Sequence, residues 1–170
     1  MKFIDLAKQR SAVRKYTDKK VEKENLDLIL EAAHVAPTAG NRQPVRLIVV
    51  EDKEGLDIIE KSTNAYQAPL AIIVCADHDK AWTRAFDGKK TTDIDASILT
   101  DHMMLQAQEL GLGTVWICKF DPEIIREGFK LPDHLEAVNI LAIGYPDGKP
   151  ADPERHSKTR IPLDELILNI

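Results

Sequence analysis

The sequence predicts an α+β fold, a mixed sheet flanked by helices, and three observations carry that expectation. Two apolar runs, "VRLIVVE" from Val45 and "LAIIVCA" from Leu70, read as buried strands, the first too continuous to have one wet face. Helical periodicity fills the stretches around them, longest in "DIDASILTDHMMLQAQELG" from Asp93. The chain has 170 residues, 44% of them hydrophobic, which fits one layered domain spanning 1–170 with a sizeable core.

Each element follows in order. Phe3, Ile4, Leu6 and Ala7 have the spacing of a short amphipathic helix, which the basic "RSAVRKY" interrupts. In "EKENLDLILEAAHV", Leu26, Ile29, Leu30 and Ala33 form one stripe, and the helix should end before Pro37 because proline restricts the residue ahead of it. "APTAGNRQP", residues 36–44, connects this helix to the strand at Val45. A charged helix, "KEGLDIIEK", precedes the second strand, which starts after Pro69.

Between Asp77 and Thr92 the chain turns polar and irregular, a candidate lid or pocket wall. Within it Trp82 and Phe86 lie four apart, as an apolar wall over a ligand or as the inner side of a surface helix. The central helix aligns Ala96, Leu99, Met103, Ala107 and Leu110. Met103 and Met104 are read as packing residues, and Gly111 and Gly113 as its terminators. "TVWI" is a third strand, "PEIIREGF" a helix opened by proline, and "AVNILAIG" a fourth strand. In the tail, Leu163, Leu166, Ile167 and Ile170 are expected to dock onto this chain or a partner.

Composition removes several function classes. A formal charge of -5 disfavours nucleic acid and anionic membrane as partners, leaving small molecules or proteins. The N-terminal residues mix charge with apolar side chains and form neither a signal peptide nor an anchor. Cys75 and Cys118 both sit in apolar runs and suit a reducing, cytoplasmic setting. They are read as buried structural thiols, or one of them as facing a ligand pocket. The five histidines are scattered without HExxH or CxxC spacing, so no metal site is expected. Asp93 suits a helix cap and Asp101 a solvated face. No serine occupies a G-x-S-x-G elbow, neither cysteine has an evident histidine partner, and the glycines of "GLGTVW" run from helix to strand, the reverse of a dinucleotide fingerprint.

Three clusters remain. In "RSAVR", Arg10 and Arg14 can share one helical face with Ser11 nearby, as a phosphate cradle or as a solvated basic face. In "HSKTR", Lys158 and Arg160 would point the same way if extended, or belong to a solvated tail with His156 a surface residue. In "APTAGNRQP", Thr38, Asn41 and Gln43 supply hydroxyl and amide groups and Gly40 allows close approach, which suits either a flat heterocycle's edge or an ordinary turn.

Taken together, "RSAVR", "APTAGNRQP", "ELGLGTVWI", "AIGYP" and "KTRIPLDEL", in that order over nearly the whole chain, resemble the flavin-dependent nitroreductase family. The resemblance implies a homodimer with FMN at the subunit interface and the chemistry carried by the flavin, so that no catalytic side chain is named. Reducing equivalents would pass from NADH or NADPH to a nitroaromatic, quinone or related acceptor in ping-pong fashion. Other readings are a flavin-binding protein of this fold with a specialised or storage role, and a non-catalytic homodimer. By the same resemblance, Arg10, Ser11, Arg14, Lys158 and Arg160 hold the phosphate. Pro37, Thr38, Ala39 and Asn41 belong to the segment given by the opposite subunit. Asn64 contacts the ring, Leu112 and Gly113 lie at the turn after the central helix, and Cys118 and Lys119 run past the ring. Arg42 and Lys119 are the cations available near its N1–C2=O edge. Val45 stands where many members have tryptophan, and Cys118-Lys119 replaces a pair that often includes a small residue.

Overall fold

The computed structural model describes residues 2–168. Strands β1 (Val45–Val50), β2 (Leu70–Asp77), β3 (Gly113–Ile117) and β4 (Leu135–Gly144) form one sheet in the order β1-β2-β4-β3. Each neighbouring pair is antiparallel. A bridge between Ala12 and Thr114, beside β3, adds the parallel component that makes the sheet mixed.

Period-two alternation divides the core between two faces. From β2, Leu70, Ile72 and Val74 meet helices α2 (Lys23–His34) and α4 (Thr92–Glu109), while Ala71, Ile73 and Cys75 meet α3 (Lys53–Ser62) and α5 (Pro122–Gly128). Every residue of β2 is buried, as its unbroken apolar run predicts. β1 departs from the same expectation. It lies at the sheet edge with β2 as its one strand neighbour, and only Val50 is fully buried. A bulge in β4 lies opposite Val74 and Cys75, which pair with Asn139 and Ala137, so that Val138 is the extra residue. As a result Val138 and Asn139 both turn toward α4, where Asn139 Oδ1 lies 3.1 Å from the Thr100 hydroxyl.

The central helix buries Ala96, Leu99, Met103, Met104 and Ala107, and the two methionines pack as expected. Gly111 ends it, at φ 77 with its N–H on the Gln108 carbonyl. Gly113 does not serve as a terminator: it opens β3, and a Cβ there would stand 2.6 Å from a methyl of Val13. Asp121 and Pro122 open α5 together, the Asp121 carboxylate accepting the Glu123 N–H at 3.0 Å.

Helix α1 (Phe3–Gln9) forms where its spacing predicts, yet buries none of its residues fully, and Phe3 and Ile4 are 69% and 56% exposed. At the other end, residues 156–159 form the short helix α6 (His156–Thr159) rather than an extended strand. Lys158 therefore sits in a helical turn and Arg160 just beyond it, without the side-by-side arrangement an extended tail would give. Helix α7 (Leu163–Leu166) follows, with Leu163, Leu166 and Ile167 exposed. These three do not dock on the described part of their own chain, and Ile170 lies outside the described residues.

Candidate functional site

The β3 edge of the sheet carries a cavity of about 660 Å³, within the range of small-molecule and cofactor pockets, about 300–1,000 Å³. Arg14, Asn64, Tyr66, Trp116, Cys118 and Lys119 are among its lining residues, so four of the predicted site residues are brought together there. Local hydrogen bonds explain why. Val13 N–H donates to the Thr114 carbonyl at 2.9 Å, which lays the "RSAVR" segment along β3. Thr63 Oγ1 donates to the Lys119 carbonyl at 2.6 Å, joining the two walls. Arg14 then stands over Tyr66, its Cζ 5.9 Å from the ring centroid, a cation–π distance.

Cys118 is exposed and lines this cavity, so the buried reading holds for Cys75 alone. There, burial pushes the thiol up to about 11. Asn64 is partly engaged, since its Oδ1 accepts the Tyr66 N–H at 2.8 Å and leaves the amide NH₂ for a ligand. Leu112 is 1% exposed and packed in the core, and Gly113 is buried against Val13. Both shape the turn, and neither has a side chain to offer a ligand.

Tyr66 itself was not legible as a site residue. It has φ 60, and Gln67 follows at φ 53, a conformation that bulky side chains rarely adopt. The Glu60 carboxylate enforces it by accepting the N–H groups of Ala65 at 3.3 Å and Gln67 at 2.8 Å. Backbone strain of this kind gathers at functional sites. A carboxylate five and seven residues upstream of the amides it holds leaves no local pattern in the sequence from which to read it.

Four residues before Arg14, Arg10 belongs to a cationic cluster with Arg155 and Arg160. Burial, then the charges of Arg155 and Arg160, hold the Arg10 guanidinium below its ordinary value, with Asp101 opposing. Arg155 was missed because its role is to position the others. It donates to the carbonyls of Lys8 at 3.0 Å and Arg10 at 2.5 Å, carbonyls left open where α1 ends, and His156 Nε2 reaches Lys8 O at 3.1 Å. This staple brings the Arg160 end of the chain to "RSAVR". Among the described residues, Arg10, Arg14, Lys158 and Arg160 form no ion pair with a carboxylate. Like charges gathered without an ion-paired carboxylate favour an anion among them. Ser11 lies in the same segment, half buried.

The loop of residues 36–44 lies elsewhere. It leads into β1, at the sheet edge opposite β3, three inter-strand spacings or about 14 Å away. Gly40, Asn41 and Gln43 all have positive φ. Thr38 Oγ1 accepts the Gln43 N–H at 3.1 Å but keeps its own proton to donate, whereas the Ala39 N–H is engaged by Asp95 Oδ1 at 2.8 Å. Pro37, Asn41 and Arg42 are exposed. Trp82 closes over the loop, 3.2 Å from where a Cβ on Gly40 would stand, while Phe86 is 98% exposed. The two aromatics thus form no common wall. Between the end of β2 at Asp77 and the start of α4 at Thr92, residues 78–91 contain no helix, their one isolated bridge joining Thr83 to Lys90. Asp93 does not cap α4; Thr91 holds that position, and Asp95 is the buried acid. No cluster of three or more metal-ligating side chains occurs among the described residues, and no described helix is long and apolar enough to cross a membrane.

An open cavity against a sheet edge, with an arginine cluster beside its segment that forms no ion pair, is an arrangement suited to a small anionic ligand. Residues 7–65 and 60–145 match the model of the Nitroreductase family, and the chain belongs to that family. It is similar to a nitroreductase family protein from Clostridium difficile 630, with 60% identity, TM-score 0.97, and 99% of this chain and 98% of that chain covered. A second solved structure, an FMN-dependent nitroreductase from Clostridium difficile R20291, has 32% identity and TM-score 0.77 over 95% of this chain and 98% of its own. The "FMN reductase [NAD(P)H]" of Bacillus subtilis strain 168 is 31% identical over 94% of this chain and 74% of its own length.

Proposed function

We propose that the chain is an FMN-dependent oxidoreductase, a cytoplasmic homodimer that passes reducing equivalents from NADH or NADPH to a nitroaromatic, quinone or related small acceptor by a ping-pong mechanism. The observation that carries this reading is the cluster of Arg10, Arg155 and Arg160 with no ion-paired carboxylate, four residues from a cavity-lining arginine, in a chain of this family. The names of an FMN-dependent nitroreductase and an NAD(P)H-dependent FMN reductase among its relatives support the cofactor and the electron donors.

The residues present fit FMN. Arg10, Arg14 and Arg160, with Lys158 and Ser11, offer charge-assisted donors to a phosphate, and the repulsion from Arg155 and Arg160, which adds to burial in lowering Arg10, is relieved when an anion sits among them. Tyr66 and Trp116 give the cavity apolar walls for a flat ring. Asn64 keeps its NH₂ for the ring edge, and Thr38 and Asn41 supply polar groups from the other rim. Arg42 and Lys119, both exposed, are the cations available to compensate anionic charge on the ring. Bound FMN supplies the two-electron transfer itself, so the chain needs to bind, orient and cover rather than attack.

Two observations support the homodimer. Phe3, Ile4, Ile94, Leu163 and Leu166 are all more than half exposed, large apolar side chains that a second copy would cover. The 36–44 loop lies on the rim opposite the cavity, where it can serve a neighbour's site and not readily its own. The free thiols Cys75 and Cys118 accord with the reducing cytoplasm.

Two-substrate kinetics test the proposal. With each nicotinamide varied against a panel of nitroaromatics and quinones, parallel double-reciprocal lines are expected. FMN binding without turnover of any acceptor would replace the enzyme by a flavin carrier, and converging lines would remove the ping-pong order.

A further inference from the structure

We infer that Asp95 is a positioning residue that ties the 36–44 loop and the 77–92 interlude into one mechanical unit at the head of α4. This rests on the reading of that loop as a cofactor contact. Asp95 is 1% exposed, and its two carboxylate oxygens serve two different segments. Oδ1 accepts the Ala39 N–H at 2.8 Å, and Oδ2 accepts the Thr91 hydroxyl at 3.2 Å. Thr91 in turn anchors the interlude, its N–H donating to the Trp82 carbonyl at 3.2 Å. The Trp82 ring closes the circuit by lying against Gly40, within the loop where Ala39 began it.

Beside this circuit, the Gln43 N–H to Thr38 Oγ1 bond at 3.1 Å stays within the loop and the Thr91 hydroxyl contact to the Trp82 carbonyl at 3.5 Å stays within the interlude, so neither joins the two segments. Three of the five residues from Ala39 to Gln43 have positive φ, a backbone that relaxes once its N–H tether is cut. Thr91 occupies the N-cap position yet makes no capping bond to the helix, so its hydroxyl is given to Asp95 instead. A carboxyl left without its donors in a buried site, or donors left without it, destabilises both segments together. The interlude, where acceptors differing in size would be discriminated, is thereby coupled to the loop that contacts the cofactor. No residue of the interlude needs to touch FMN for this.

Amide hydrogen exchange of the cofactor-free protein tests the coupling directly, comparing wild type with Thr91→Val, Asp95→Ala and Asp95→Asn. Thr91→Val is the decisive variant, since it leaves Asp95 and its bond to Ala39 in place. Exchange in residues 38–43 is expected to quicken about three- to tenfold in Thr91→Val and at least as much in Asp95→Ala. Asp95→Asn, which can accept from Ala39 and donate to Thr91, is expected to stay within about twofold of wild type. An unchanged loop in Thr91→Val overturns the inference even if Asp95→Ala fails to fold. An Asp95→Asn variant as loose as Thr91→Val overturns it too. In parallel, the FMN dissociation constant of Thr91→Val is expected to rise about three- to tenfold with Asp95→Asn near wild type, and an unchanged constant in a loosened Thr91→Val severs the link to the cofactor. If wild type binds no FMN, the proposed function fails, and the tether is still judged on exchange alone.

Discussion

Gly113→Ala is expected to loosen the phosphate-binding segment through packing alone. A Cβ at this position would stand 2.6, 2.8 and 2.9 Å from Cγ2, Cβ and Cγ1 of Val13, where carbon atoms normally keep about 3.5–4.0 Å. The obstacle is a stiff β-branched side chain whose own backbone N–H is bonded to the Thr114 carbonyl at 2.9 Å, so it cannot withdraw without stretching that bond. Overpacking of this kind costs about 1–3 kcal/mol, and weakening the hydrogen bond adds up to about 1 kcal/mol. At about 2–4 °C per kcal/mol for a chain of this size, a total of about 1–4 kcal/mol lowers Tm by about 2–16 °C. The assay is thermal unfolding of Gly113→Ala, Val13→Ala and the double variant. Val13→Ala removes the contacts at 2.6 and 2.9 Å but leaves the one at 2.8 Å, so the second substitution should rescue part of the loss and not all of it. A Gly113→Ala protein as stable as wild type, or strictly additive variants, would refute the packing argument.

Further outcomes follow from the same geometry. Arg14→Ala combined with Arg160→Ala should weaken FMN binding by about 3–6 kcal/mol in total, at about 1.5–3 kcal/mol per charge-assisted contact, and added salt should narrow the gap; equal affinities in a fluorescence titration would dismiss the phosphate assignment. Asp121→Ala deletes the α5 cap and should destabilise by about 1 kcal/mol in denaturant unfolding, with Asp121→Asn near wild type. Hydrogen bonds from Lys19, then Tyr145, hold the Glu22 carboxyl down at about 2 against a usual 4.5. Because the folded value is depressed, its contribution to stability is fully present above pH 4.5 and is lost as pH falls toward 2. Glu22→Gln should therefore flatten the acid limb of a stability–pH profile in that window and nowhere else, and an identical acid limb in the variant would show that the pairing does not matter in solution.

How far the sequence reveals the fold depends on what each element touches. β2 was legible because all its residues are buried, so composition and position agree. β1 has the same composition but one strand neighbour, and an apolar run does not report how many strands flank it. The "RSAVR" cluster and the 36–44 loop stood out through local density of charge and of turn residues. What stayed hidden depends on partners far along the chain. Arg155 acts on carbonyls 147 and 145 residues away, and Asp95 on an amide 56 residues away, so neither leaves a short motif. Gly113 looked like a helix terminator because the sequence does not show Val13 lying against it. Lys158 and Arg160 were expected on an extended segment because a proline-rich approach gives no sign of a single helical turn.

The central claim is that this chain binds FMN and lets a nicotinamide reduce it. The purified protein, loaded with FMN and freed of oxygen, is titrated with NADH and separately with NADPH while the flavin absorbance is followed. Stoichiometric bleaching by at least one of them, with colour restored on adding a quinone or nitroaromatic, is the expected result. A protein that takes up no FMN, or whose bound FMN neither nucleotide bleaches, would contradict the account.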